Sequence, residues 1–425
     1  QKSKELEDVR KKASEFSKEI ERLKKELAIA KTDTKKIDQK ADIKKEEGKV
    51  IYTNQDLIKQ YNEAVKGLSG ADWWQKGLNL LGKLGKSGKH KEALDAFSKA
   101  IELGPKTAGG YRGRGVVYAD LENYQQAISD FNKAIQLEDD PFAMDYFFRG
   151  RAYAALKSYQ QAISDFNKAI QLDPQDALAY VNRGLSYLML GNYQQAINDC
   201  NKAIQLNPKD AKFFLLRGMA YAELKSYQQA ISDFNKAIQS DLQDANAFFL
   251  RGSAYRELGD YQQAINDYNK AIELNPKDAR AYFKRGLSYL MLGSYQQAIN
   301  DYNKAIELNP QDAAAYYNRG IAYAELKNHQ QSINDYSKAI QLSPQDADTY
   351  NNRGVAHGEL GNYQQAINDY NKAIQLNPQD AAIAYYNRGI AYANLNNGQK
   401  AIEDVKIAAK LGDKEAQDFL KKKGI

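Results

Sequence analysis

Proline recurs at Pro174, Pro208, Pro276, Pro310, Pro344 and Pro378, with gaps of 34, 68, 34, 34 and 34 residues, and Leu242 stands in the slot that the double gap skips. A chain written in one fixed period of this length does not fold around a single core; each period is one supersecondary unit that buries its apolar face on the next. Between prolines the text hardly changes, as in PKDARAYFKRGLSYLMLGSYQQAINDYNKAIELN from 276 to 309. Each period reads as helix, short break, helix. The break falls at Gly191, Gly259, Gly293 or Gly361, and Lys157, Lys225 or Lys327 fills it elsewhere. The second helices align on one alanine column, from Ala93 and Ala127 to Ala366 and Ala401 with Ser332 as a variant, and on another seven residues later, from Ala100 to Ala408. That alignment gives ten repeats.

Around these columns the fourth repeat carries Tyr180, Arg183, Gly184, Tyr187, Ala196, Cys200, Ala203 and Pro208, and the seventh carries Tyr282, Arg285, Gly286, Tyr289, Ala298, Tyr302, Ala305 and Pro310. The pattern resembles the tetratricopeptide repeat, whose text runs aromatic, x2, Leu-Gly, x2, Tyr, then Ala, x3, Phe, and finally Pro. Nine repeats keep the glycine, at Gly115, Gly150, Gly184, Gly218, Gly252, Gly286, Gly320, Gly354 and Gly389; at this spacing Leu81 or Gly82 stands in its place in the first repeat. The departure is arginine before the glycine, from Arg114 to Arg388. It recurs together with a second-helix aspartate, from Asp130 to Asp404, so a repeated structural ion pair is expected. The resemblance implies an all-α, right-handed superhelical solenoid of about ten helix-turn-helix repeats. Small residues let the helices approach and tyrosines fill the space between them.

The expected divisions are a charged helical segment over 1–50, a short helix and linker over 51–72, the repeat array over 73–411, and a polar capping helix over 412–425. In the first segment Leu6, Val9, Ala13, Phe16, Ile20, Leu23 and Leu27 alternate by three and four residues, a heptad seam. No run approaches the roughly 18–20 apolar residues of a membrane helix. The formal net charge is +6, but residues 1–110 hold 25 basic against 18 acidic residues, leaving 35 against 36 for the rest, which does not mark a nucleic-acid binder. The start at Gln1 favours an exported protein, periplasmic or extracellular, over a cytoplasmic one.

Catalysis finds no constellation. His90 and His329 occupy a slot that is Tyr124, Tyr159 or Tyr193 in other repeats, and His357 takes the slot of Tyr323. The single cysteine, Cys200, stands where Phe166 and Phe234 stand and reads as a buried, inert thiol. GKLGKSGK from Gly82 has too few residues between its glycines for a phosphate-binding loop, and GGYRGRG from Gly109 falls in a first helix. No enzyme activity, metal or other cofactor is expected.

In proteins that this one resembles, a concave wall is lined by first-helix residues six and three before the glycine and one, four and five after it. At 100° per residue these offsets share an arc of about 100°. The expected partner-binding groove is therefore Phe147, Val181, Leu185, Leu188, Leu215, Met219, Phe249, Phe283, Leu287, Leu290, Tyr317 and Ile321, with Glu223, Glu257, Glu325 and Glu359 along one edge. The lysine and asparagine with which some members of the family clamp a carboxylate are absent. Asn182, Asn318, Asn352 and Asn387, two before the glycine, are similar to a peptide-holding asparagine ladder, broken by Leu216, Leu250 and Lys284. Two uses follow: a scaffold that binds a peptide or helical segment of another protein in this groove, or a subunit that meets other copies of itself head to tail through the seam of Leu6, Val9, Phe16, Ile20, Leu23 and Leu27. The same columns also suit plain packing between first helices.

Overall fold

The computed structural model describes residues 69–81 and 89–424. The heptad seam from Leu6 to Leu27, and with it the assembly contact expected of it, lies outside the described residues. All described secondary structure is helical, in 21 helices. The chain divides into two compact bodies at Ser186 and Tyr187, inside helix Ala177–Met189.

In the N-terminal body, Gly70–Leu81 pairs with His90–Leu103, Ala108–Asp120 with Tyr124–Leu137, and Ala143–Ala155 with Tyr159–Leu172. In the C-terminal body the paired helices are Ala211–Glu223 and Tyr227–Ser240 (repeat 5), Ala245–Glu257 and Tyr261–Leu274 (repeat 6), Ala279–Met291 and Tyr295–Leu308 (repeat 7), and Ala313–Glu325 and His329–Leu342 (repeat 8). Ala347–Glu359 and Tyr363–Leu376 (repeat 9) and Ala382–Asn394 and Gly398–Lys410 (repeat 10) complete them. Within each body the second helix of a repeat packs on the first helix of the following one, so one hairpin covers the next.

The sequence dictates where these helices begin and end. Asp210, Asp244, Asp278 and Asp312 each accept a hydrogen bond from the backbone N–H two residues on, capping a first helix. The first helix stops where the chain turns left-handed, at Gly259 with φ +81° and at Lys225 with φ +58°. Lysine there bears a conformational cost that glycine does not. Second helices end at an extended residue before proline, as at Asn207, because the proline ring disfavours helical geometry in its predecessor. Asp241, before Leu242, adopts the same extended geometry, so the turn survives without its proline.

The core is a column of second-helix residues set against first-helix glycines. Phe131, Phe166, Phe234, Tyr268 and Tyr302 are buried; a methyl group on Gly218 would lie 2.6 Å from Phe234 Cε1, and one on Gly286 2.8 Å from Tyr302 Cε1. The first repeat corrects the fixed-spacing expectation. Its glycine is Gly77, where a methyl group would meet Phe97 Cε1 at 2.5 Å, and Trp73 and Leu80 take the buried aromatic and +3 positions. The connection to the second helix is four residues longer here, which displaces the glycine from the column at Leu81 or Gly82. At the other end Lys414–Lys423 is capped by Asp413 and seats Ala416 and Leu420 on Val405, Ala408, Tyr385 and Tyr386.

Candidate protein-binding face

The arginine column builds the scaffold on which the face rests. Arg251 donates through Nε and Nη2 to the two oxygens of Asp267 at 2.8 and 2.6 Å, and through Nη1 to Asn235 Oδ1 at 2.6 Å. Asp267 belongs to the same repeat and Asn235 to the one before, so each guanidinium ties two repeats together. The same triad occurs at Arg149, Arg217, Arg285, Arg319 and Arg388, while Arg114 and Arg353 meet a serine in place of the asparagine. Each guanidinium also lies over the aromatic ring three residues before it, as Arg285 does over Tyr282 at 5.6 Å. The Asp267 hydrogen bond holds the Arg251 guanidinium above its ordinary value. Burial pushes the Asp267 carboxyl up, against the downward pull of Arg251.

With these residues occupied, the first helices present the expected groove columns. In the C-terminal body Leu215, Met219, Phe249, Phe283, Leu287, Leu290, Tyr317 and Ile321 are half-buried, and Leu188 is buried. In the N-terminal body Phe147 and Val181 are half-buried and Leu185 is exposed. The aromatics stand on the buried column beneath them: Phe249 lies 5.8 Å from Tyr268, Phe283 6.0 Å from Tyr302 and Tyr317 5.9 Å from Tyr336 between ring centroids. One side of each ring is thus core and the other is surface. Glu223, Glu257, Glu325 and Glu359 are exposed alongside.

The asparagine ladder is turned inward. Asn182 and Asn318 donate to the carbonyls of Leu178 and Ala314 in their own helices, Asn352 donates to Tyr317 Oη at 3.0 Å, and Asn387 to Asn351 Oδ1 at 3.3 Å. Arg112 escaped the sequence reading, and the polar variants of repeats 6 and 7 received no role in it. Arg112, in the column that is aromatic or aliphatic in repeats 3 to 8, is bound by the fully buried Asp145 at 2.5 Å and by Glu138 at 2.7 Å. Repeat 6 puts Ser253 and Arg256 where its neighbours are apolar. Lys284 follows beside them in repeat 7; only a side-by-side comparison of repeats brings these three to notice.

The remaining candidates behave as repeat variants. His90 Nε2 lies 2.6 Å from Asp120, and the buried Nδ1 atoms of His329 and His357 have no hydrogen-bond partner. Burial pushes the Cys200 thiol up to about 12, which removes the thiolate needed for reactivity. Among the described residues no His, Cys, Asp and Glu side chains group to hold a metal ion, and no helix is long and apolar enough to cross a membrane.

Tetratricopeptide repeat models match residues 84–143, 177–210, 211–244 and 347–380, and a TPR repeat model matches 150–191, 252–293, 288–327 and 322–361. The chain belongs to the tetratricopeptide repeat family. A curated UDP-N-acetylglucosamine–peptide N-acetylglucosaminyltransferase of Giardia intestinalis is 39% identical over 69 residues, a stretch that is 16% of this tetratricopeptide chain and 5% of that protein. Among solved structures, YrrB, described as a TPR protein with an unusual peptide-binding site, is 27% identical (TM-score 0.38; 42% of this chain, 92% of that one). A tetratricopeptide repeat protein of Parabacteroides merdae is 24% identical (TM-score 0.44; 58% and 98%). Tetratricopeptide arrays are protein-interaction scaffolds, and membership of the family points to protein partners.

Proposed function

We propose that the first-helix face of repeats 5 to 8 is a groove that binds an extended or amphipathic segment of another protein, without catalysis. The observation that carries this is the row Leu215, Phe249, Phe283 and Tyr317. One such side chain comes from each successive repeat, seated on the core along one side and open along the other. A segment docking there finds apolar anchors already held in place, which lowers the ordering cost of binding. The glutamates beside the row keep the face soluble while it is empty.

The test is selection of binders from a displayed library of random 12-residue peptides on the full chain, repeated on Phe249→Glu with Phe283→Glu. Each ring is half-buried, so each change costs about 2 kcal/mol, roughly half of a fully buried Phe→Ala, and helicity by circular dichroism stays near that of the parent. Peptides selected on the parent lose binding to the variant. Equal binding to both proteins refutes the groove.

A further inference from the structure

Near-identical repeats supply their own control: a residue that one repeat carries and its neighbours replace is not needed to fold that repeat. On the first-helix face, positions one and four after the glycine are Met219 and Ala222 in repeat 5, Leu287 and Leu290 in repeat 7, and Ile321 and Ala324 in repeat 8. Repeat 6 alone among these has Ser253 and Arg256. The next first helix adds Lys284, where repeats 5 and 6 have Leu216 and Leu250. Beneath them the buried aromatic changes from Phe234 in repeat 5 to Tyr268, whose hydroxyl bonds Ser253 Oγ at 3.1 Å. The polar replacements therefore fall on the two successive first helices that carry Phe249 and Phe283, in the middle repeats of the apolar row, with Arg256 close enough to act on the Lys284 ammonium.

The charges there are left incomplete. Arg256 pairs through Nη2 with Glu257, but its Nε is buried without a hydrogen-bond partner. Lys284 is half-buried over the Phe283 ring, at 6.0 Å, and no carboxylate among the described residues pairs with it. Burial pushes its ammonium pKa down and the neighbouring Arg256 pushes the same way, with Glu257 opposing. Arg280, over the Phe249 ring at 4.9 Å, is already neutralised by Asp278. Two cations against one nearby carboxylate leave a surplus of one positive charge in a partly desolvated setting, where an added anion gains more than it does at an open surface.

We infer that the groove selects a segment that places one carboxylate side chain, flanked by apolar residues, over Arg256 and Lys284. This rests on the groove reading above. The apolar flanks take Phe249 and Phe283, and the carboxylate supplies the acceptor that Lys284 lacks, beside the exposed edge of the Arg256 guanidinium. A singly charged group matches the surplus; a phosphate dianion would leave one charge uncompensated facing Glu257. A basic side chain at that position is repelled by Arg256 and Lys284.

The experiment uses the full chain and the peptides selected from the random library. Selected sequences carry Asp or Glu between apolar residues, and changing that acid to its amide weakens binding about tenfold, about 1.4 kcal/mol. Against Lys284→Gln, and against Arg256→Leu, which installs the residue that repeat 7 carries at Leu290, the same change weakens binding less than about twofold, since the coupling has lost its partner. Selection that needs Phe249 and Phe283 but shows no preference for acid overturns the carboxylate inference and leaves the groove standing. Absence of any peptide that depends on those rings overturns both. A phosphoserine version that binds more tightly than the carboxylate version also overturns the inference. Circular dichroism of Lys284→Gln and Arg256→Leu matching the parent assigns any loss to recognition.

Discussion

Removal of Arg251 is the sharpest test of how the array is held together. Its guanidinium makes two hydrogen bonds to Asp267, which is 5% exposed, and a third to Asn235 of the preceding repeat, while stacking over Phe248 at 5.5 Å. Arg251→Met keeps most of the apolar stem but strands a buried carboxylate, which costs about 3–5 kcal/mol when one partner of such a pair is removed. Arg251→Met together with Asp267→Leu recovers most of that loss, because replacing both partners of a buried pair by apolar groups is often neutral. Repeats contact mainly their neighbours, so the loss is local, and global melting blurs it. Native-state amide hydrogen exchange resolves it: the amides of repeats 5 and 6 lose protection while those of repeat 9 keep theirs. In the single variant burial still raises Asp267 and the opposing pull of Arg251 is gone, so its folded pKa lies above the unfolded value. A group shifted that way stabilises the fold when protonated and costs stability as pH rises through the folded pKa. The deficit at pH 7 therefore shrinks as pH falls through that raised value and is gone below about pH 4. A single-variant cost under about 1 kcal/mol, as for an exposed ion pair, or a double variant no better than the single, refutes this account.

Two further outcomes follow from packing and titration. Gly218→Ala forces a methyl group to within 2.6 Å of Phe234 and destabilises repeat 5 by about 1–3 kcal/mol, whereas Gly259→Ala meets no atom within 4 Å and carries only the strain of φ +81°; urea titrations that rank the two the other way contradict the packing role. His357 has its pKa lowered by burial first, against the opposing pull of Asp369 and with a smaller push from Arg353 in the same direction as burial, so its folded pKa lies below the unfolded one and repeat 9 loses stability as pH falls below about 6.5. His357→Tyr, the residue at Tyr323 in the repeat before, flattens the dependence between pH 7 and 5 when amide exchange is followed.

The period, the helix pairs and the arginine–aspartate column were legible because they repeat: a residue type recurring every 34 positions points to one place in space without any structure. The same reliance on spacing misplaced the first glycine. Gly77 has the right environment, Trp73 before it and Phe97 against it, but an extra four residues in the following connection put it out of register. The face was legible as columns. Its depth was not, because helical angle says which way a side chain leaves the axis and not how far a neighbouring ring covers it; Leu188 is buried and Leu185 exposed from adjacent turns of one helix. The asparagine columns were legible in the same limited way, since spacing does not say that an amide bonds a carbonyl of its own helix, as Asn318 does with Ala314. Arg112 and Asp145 break their columns once each, so periodicity had nothing to say of them.

The interchangeability of the repeats has a consequence for heredity. The text YQQAISDFNKAIQL stands unchanged at 124–137 and 159–172, and YQQAINDYNKAIEL at 261–274 and 295–308. Tandem copies of nearly identical coding sequence mispair during replication, and the errors add or remove whole copies. Because each arginine finds the same kind of acceptor in the repeat before, an asparagine or, for Arg114 and Arg353, a serine, a lineage can lengthen or shorten the array in steps of one period and keep a folded protein. Single-residue insertions are accommodated in one kind of place: Arg149 and Arg388 reach Asn132 and Asn371 across 17 residues where the other arginine–asparagine ties span 16, and the extra residue sits in the connection after a second helix. On the groove reading proposed above, copy number would set how long a segment such a lineage can hold, and point changes at positions such as Ser253, Arg256 and Lys284 would set what it recognises.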